Sequence, residues 1–334
     1  MMNRYLQSDY VGTLTLSKVE KCVNAFQQYI ACFPSVLKLS VSLIGSYSSG
    51  LASRSGSMVD LLVRMDGGSL TMSLNSDELA SALSAGLKDW AFLTSVTPLL
   101  NNSGTLICET EESCIFFRIR ACNTEKFPVS HLFHSKLFAS YLNIDPSKIV
   151  VFLNSIKHWS RISGFSSPVP YSACPLSGFH WTIIGLFFLQ ACGFIPSVFQ
   201  GSVAFGPKIE DSFASMPQHF PIKVPIGELV GRFFSWLAKT DLLSTIVSLK
   251  QEKHIQGKKG WLNILDPTLP YEQNTVDPSF DQKEQVLFAM KLSREAGKLT
   301  HIKTEQELVG IVYAKSISML TSGNGPVCKI SVAV

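Results

Sequence analysis

Charge is scarce in this chain. Only 16% of its 334 residues are Asp, Glu, Lys or Arg, against 46% apolar, and the formal net charge is +4. So small a net charge excludes a polybasic nucleic-acid wrapper, and the apolar share excludes disorder as a description of the whole. The eight cysteines form no C-x-x-C pair, so their spacing offers neither a zinc knuckle nor a redox motif. Free buried thiols in a reducing, intracellular compartment are the expectation. Long apolar runs are lacking too. Gly164 to Gly206 holds no charged residue, but its dense core, Trp181 to Ile195, is about 15 residues, short of the roughly 20 that span a bilayer. Gln190 interrupts that core and Pro196 ends it, so a buried helix is expected and no membrane span. The first ten residues have no apolar signal core. There is no internal repeat and no low-complexity tract.

The charge that is present is uneven. Residues 1–130 carry a net −1 and residues 131–334 a net +5, so any grip on a polyanion belongs mostly to the second half. Leu16, Val19, Val23, Phe26 and Ile30 share one helical face, with Ser17 and Glu20 at capping-box spacing. Leu37 to Leu43 alternates apolar and polar, the pattern of a half-buried strand. A serine-rich loop from Gly45 to Ser57 leads into a second apolar run, Val59-Asp60-Leu61-Leu62-Val63. A helix over 77–92, with Leu79, Leu83, Leu87 and Trp90 inward, and a third strand over 114–119 complete a mixed α/β region. Helices then dominate. Asp145-Pro146 opens one that buries Ile149, Val150, Leu153, Ile156 and Trp159. Others are expected near 181–192, 226–237 and 282–296, with a basic polar loop from Lys250 to Lys259.

Leu43-Ile44-Gly45-Ser46 followed by Gly56-Ser57-Met58-Val59-Asp60 resembles the opening of polymerase-β-type nucleotidyltransferases. Four later stretches, in the right order, resemble the non-conventional poly(A) polymerases and terminal uridylyltransferases of that class. They are Ile156-Lys157-His158-Trp159-Ser160-Arg161, then Ser177-Gly178-Phe179 with Phe187 to Gln190 and Pro196. Gly227-Glu228-Leu229-Val230 with Phe233 to Trp236 follows, and Leu265-Asp266-Pro267 with Gln273 to Val276 closes the set. The resemblance spans roughly residues 30 to 300. It implies an α+β fold: a small polymerase-β-type nucleotidyltransferase domain over 30–130 and a helical poly(A)-polymerase-associated domain over 131–334. An N-terminal helix, 1–29, is expected to pack on the helical domain, and a cleft is expected between the two domains.

Nucleotide transfer to an RNA 3′ end needs two Mg²⁺ ions on carboxylates. The family supplies three Asp, two of them at i and i+2 on one strand. Here those positions hold Met58 and Asp60, and the third aligns with Arg118. A thioether is no Mg²⁺ ligand, and a guanidinium repels the ion. Glu109, Glu111 and Glu112 are near in sequence but are expected to precede the strand. The nucleotide-binding residues implied by the resemblance are Gly45 and Ser46 at the triphosphate, Lys157 and Arg161 at the β- and γ-phosphates, Ser177, and Asp266 at the base edge. The stacking aromatic of the family is Gly178 here, unless Tyr171 substitutes, and its uracil-selecting acid is Leu269. His134 takes the place of a ribose-contacting Asn. His131 and His134 have no third ligand at metal spacing and are expected to be plain histidines.

The residues that build the fold are kept while those that do chemistry are lost. That pattern is expected of an inactive RNA-binding or scaffold subunit of an RNA-processing complex, in cytoplasm or mitochondrion. Two alternatives stay open: an active uridylyl or poly(A) transferase with an atypical Mg²⁺ site, and a metal-independent regulatory module that binds UTP or ATP. Mg²⁺ is implied only for the active case.

Overall fold

A computed structural model describes residues 13–32, 39–52, 59–65, 75–90, 93–98, 104–110, 116–123, 130–166, 174–196, 220–250, 258–268, 274–276, 278–307 and 309–310. The fold is α+β, in two units, Gln7–Leu142 and Asn143–Val334. The first unit runs α1 (Thr13–Ala31), β1 (Leu39–Ile44), a single helical turn α2 (Gly45–Ser48), β2 (Val59–Met65), α3 (Ser76–Leu87), β3 (Leu93–Pro98), β4 (Thr105–Thr110), β5 (Phe116–Asn123) and α4 (Ser130–Leu142). Its strands form one mixed sheet in the order β1-β2-β5-β4-β3. The two strands expected from sequence, β1 and β2, are antiparallel neighbours, with Leu43 opposite Leu61 and Ile44 opposite Asp60. β2 and β5 are parallel. β3 and β4 are additions to the three strands read from sequence.

Strand alternation sorts the sheet into two faces. Val59, Leu61, Val63 and Met65 of β2 pack with Leu106, Cys108, Ile119 and Ala121 in one core. The sequence reading puts the N-terminal helix on the helical domain; the structure does not. Val19, Val23, Phe26 and Ile30 of α1 belong to this sheet core, alongside Leu79, Leu83 and Leu87 of α3. Two helices side by side are needed to cover a five-stranded face, and the α1 stripe supplies the second. Tyr29 stacks on Trp90 at 4.9 Å, and its hydroxyl donates to the Gly86 carbonyl. α1 starts at Thr13, so Ser17 and Glu20 lie inside it rather than at its cap. The α3 cap is Asn75, whose side chain accepts from the Asp77 and Glu78 amides while the Glu78 carboxylate accepts from the Asn75 amide. The sequence boundary at 130/131 also moves: α4 belongs to the first unit.

The second unit is helical: α5 (Pro146–Ile162), α6 (Gly178–Ala191), α7 (Ile226–Lys239) and α8 (Gln282–Gly297), with a two-stranded parallel patch of β6 (Ile246–Val247) and β7 (Asn263–Ile264). Its core is aromatic. Trp159, 1% exposed, sits 4.7 Å from Phe234, 5.5 Å from Phe165 and 5.8 Å from Trp181. α6 is apolar on all sides because its neighbours bury it; with 14 residues it is too short to span a bilayer. Among the described residues no helix is long and apolar enough to cross a membrane. Gly227 and Gly231 leave α7 bare on one side, and the backbone at Thr304 and Ile302 runs where their Cβ atoms would be.

Asp145 does more than cap α5. One oxygen accepts from the Lys148 amide (3.2 Å) and the Ser147 hydroxyl (2.7 Å), and the other accepts from the buried Ile222 amide at 3.0 Å. Lys148 Nζ donates to the carbonyls of Ile222 and Val224. Asp145→Ala therefore removes a cap and orphans a buried donor, each costing about 1–2 kcal/mol. The expected loss is about 2–3 kcal/mol of unfolding free energy in urea titration, with far-UV circular dichroism unchanged below the transition.

Candidate functional site

The residues singled out by sequence fall into two groups, one in each unit. In the first unit β1 ends at Ile44, and Gly45 turns the chain into α2 with φ of +71°. That left-handed conformation favours glycine, and space demands it as well: a Cβ here would lie 2.6 Å from Asp60 Oδ2. The Gly45 amide donates to Ser135 Oγ on α4 at 2.9 Å. The Ser46 carbonyl accepts from the Leu51 amide at 2.8 Å, which closes the turn. Gly45 and Ser46 thus lie against Asp60.

Asp60 is a buried carboxylate, 7% exposed, on the interior strand β2. Register puts Arg118 of β5 directly across from it. Arg118 Nε donates to Asp60 Oδ1, forming an ion pair. Glu109 precedes β5, as the sequence suggests, but on a strand of its own, β4, where it shares the Asp60 face by register. β5 lies between them and Glu109 is two residues off the Asp60 row, so at about 4.8 Å per strand and about 3.3 Å per residue the two positions stand about 12 Å apart on the sheet. Octahedral Mg²⁺ needs several convergent oxygens. The described residues do not fit a two-metal centre, and no group of three or more Asp, Glu, His or Cys among them has metal-site geometry. Met58, Glu111 and Glu112 lie outside the described residues.

The second group does converge locally. Lys157 is buried on α5, and its Cε lies 3.5 Å from where a Cβ on Gly178 would be. Arg161, one turn on, is half-buried. Burial first, and the Arg161 charge second, push the Lys157 ammonium down from 10.5 to about 7. Ser177 is the N-cap of α6; its amide and hydroxyl lie 2.8 and 3.0 Å from His180 Nδ1. His180 Nε2 in turn meets the Thr275 carbonyl at 2.9 Å. His180 was not singled out by sequence. It stands at N3, where a capping box usually holds Glu or Gln, so the motif is disguised.

A depressed lysine has a signed consequence. Between about pH 7 and 10.5 the unfolded chain holds a proton on Lys157 that the folded chain does not. Stability therefore rises with pH across that window; the penalty for charging Lys157 is present in full below pH 7. Urea unfolding at pH 7 and pH 8.5 should show the rise, and Lys157→Met should reduce the slope by up to about 1.4 kcal/mol per pH unit.

The remaining candidates have structural partners. Asp266 Oδ1 accepts from the Thr268 amide at 2.8 Å and the Thr268 hydroxyl at 2.7 Å, a local turn. His134 is buried and stacks on Phe138. At the ends of the basic loop, Lys258 and Lys259 are exposed, whereas Lys250 is not. Lys250 is 3% exposed, and Lys258 Nζ lies 3.8 Å from the centre of the Trp261 ring. The thiols are mixed rather than uniformly buried: Cys22 and Cys108 are buried, Cys32 and Cys192 exposed. Burial pushes the Cys108 thiol up to about 12. Tyr171, Leu269 and Lys253 lie outside the described residues, as does the His131 side chain.

Known structures share this architecture. The protein of the GLD-2/RNP-8 complex matches with a TM-score of 0.67 at 16% identity, over 93% of this chain and 96% of that one. mtPAP in complex with UTP matches with a TM-score of 0.70 at 15% identity, over 94% of this chain and 72% of that one. The Cid1 poly(U) polymerase matches with a TM-score of 0.66 at 18% identity, over 92% and 96%. No family model matches the sequence, and no curated protein matches it significantly. The chain therefore has the two-part fold of terminal uridylyl and poly(A) polymerases, at identities that establish the fold alone.

Proposed function

We propose that this chain is a catalytically inactive relative of the terminal nucleotidyltransferases, retained in RNA metabolism as an RNA-binding or scaffold subunit of a processing complex. One observation carries the reading: Asp60, the single carboxylate left at the metal positions, is bound by Arg118 from the next strand. A cation already sits where the catalytic cation would have to be. Between the two binding roles the complex subunit is favoured, because Lys250, part of the second half's positive balance, is buried rather than presented. A reducing compartment, cytoplasmic or mitochondrial, suits exposed Cys32 and Cys192 as free thiols.

A second reading, a metal-independent nucleotide-binding module, draws on a different observation. Lys157, with Arg161 one turn on along α5, stands beside the capped N-terminus of α6, where Ser177 and Gly178 begin the helix. The test of the main reading is RNA 3′-end extension by purified protein with Mg²⁺ or Mn²⁺. Product above background that disappears in Asp60→Ala overturns it and restores the active transferase with an atypical metal site.

A further inference from the structure

α8 is held firmly on one side. Gln285, Leu292 and Ala296 are its buried residues. Gln285 Oε1 accepts from the Leu262 amide at 3.0 Å, and its Nε2 donates to the Phe280 carbonyl at 3.0 Å. Ser293 Oγ donates to the Ala238 carbonyl near the end of α7, 2.8 Å away. A capping box closes the start, where the Glu284 carboxylate accepts from the Asp281 amide at 2.8 Å. The outward side is not needed to hold the helix. Yet Leu287 is 57% exposed there and Met290 64%. Among the described residues only Phe220 is a comparably exposed large apolar residue. Single exposed apolar residues are ordinary, but two large ones a turn apart on a fixed helix make a patch.

The patch has a charged frame. At 3.6 residues per turn, Lys283, Leu287, Met290 and Arg294 fall within about 60° of one another around the helix axis. All four are exposed. The line reads cation, leucine, methionine, cation. Exposed Lys291 flanks it, with Nζ 5.7 Å from the centre of the Phe165 ring. The carboxylates of α8 are Glu284 and Glu295, and neither is on the line. Glu284 is engaged in the cap, and Glu295 accepts from Lys298 Nζ at 2.6 Å, with Arg294 Nε 3.9 Å away.

Charge and shape choose among occupants. A second copy would set the same cations against these, which opposes self-association. RNA would meet the cations but gain nothing from a leucine and a methionine between them, since bases stack on aromatic rings. An apolar centre inside a charged rim is the anatomy of a protein interface, and cations at the rim select carboxylates. We propose that the outward face of α8 docks an acidic amphipathic helix of a partner protein. Its apolar residues cover Leu287 and Met290, and its carboxylates meet Lys283, Lys291 and Arg294. The proposal rests on the scaffold reading above and deepens it by naming the surface and the chemistry of the partner.

The test uses the full chain and three labelled synthetic peptides, each of about five helical turns. The first carries a leucine stripe flanked by glutamates. The second has lysine for each glutamate, and the third keeps the glutamates but has glutamine for each leucine. Binding is read by fluorescence anisotropy at several salt concentrations. The first peptide is expected to bind, less tightly as salt rises. Leu287→Ser with Met290→Ser is expected to weaken it by at least about tenfold. Lys283→Glu with Arg294→Glu is expected to switch preference to the lysine peptide. No binding of the first peptide overturns the proposal, as does equal binding of the third or indifference to both variant pairs. A single-stranded RNA that binds in place of the peptide, sensitive to the charge pair and not to the serine pair, assigns the face to RNA and overturns it. Sedimentation showing a dimer that the serine pair abolishes assigns it to a second copy and overturns it too. Thermal melts are expected to be unchanged, because all four positions are exposed. The three peptides on the unaltered chain carry the test without any variant. A native complex that survives both variant pairs removes the α8 surface and leaves the scaffold reading. Metal-dependent RNA extension removes the inactive reading, and peptide binding still decides the surface.

Discussion

With Mg²⁺ or Mn²⁺ and each of the four nucleoside triphosphates, the purified protein is expected to leave a labelled RNA 3′ end at its input length. In a two-metal transfer the ions stabilise the attacking and leaving oxygens, each contributing several kcal/mol. Since about 1.4 kcal/mol is a factor of ten in rate, losing them costs at least about a thousandfold. Here the obstacle is also local. Arg118 neutralises Asp60, and the glycine turn at Gly45 closes on the other carboxylate oxygen. Arg118→Asp with Met58→Asp restores the family's ligand types, and it is expected to bring weak divalent-cation binding without extension. The base platform is still missing at Gly178. Extension by that double variant would show that the rest of the site is intact.

Trp159→Ala should be the most damaging single change in the helical unit. The side chain is 1% exposed and touches Phe165, Trp181 and Phe234, one from each flanking segment. Truncating a buried tryptophan leaves a cavity and costs about 3–5 kcal/mol. In a unit of this size that lowers the melting temperature by roughly 10 °C. Calorimetry should show the loss in one transition and spare the other, because the sheet unit has its own core. Equal displacement of both transitions would mean that the two units unfold as one.

Sequence reading recovers elements whose apolar residues announce a period. β1 alternates, β2 is an apolar run broken at Asp60, α5 opens at its Asp145-Pro146 cap, and α6 falls where the uncharged apolar run predicts. β3 escaped because four of the six residues of Leu93–Pro98 are threonine, serine or proline, with only partial burial. α4 escaped because the apolar residues of SHLFHSKLFASYL are spread around the helix rather than gathered on a face. The α1 stripe is legible, but a stripe does not say what it will cover. The same limit holds at the site. Alignment exposes Arg118 as a substitution; only the parallel register of β2 and β5 reveals that it reaches Asp60. Asp266 and Lys250 read as ligand-facing or solvated, yet their surroundings bury both.

The bare side of α7 bears on how the chain is made. Gly227 and Gly231 are shaped to receive backbone from residues 302–304, which leave the ribosome more than 70 residues later. The sheet unit is a continuous stretch ending at Leu142 and has its partners early. The helical unit has to wait, with a groove open along α7 and Leu229, Val230 and Phe233 nearby, until its last strap arrives. A transcript shortened before that point would yield a protein with one finished half and one permanently nascent half, a natural client for chaperones.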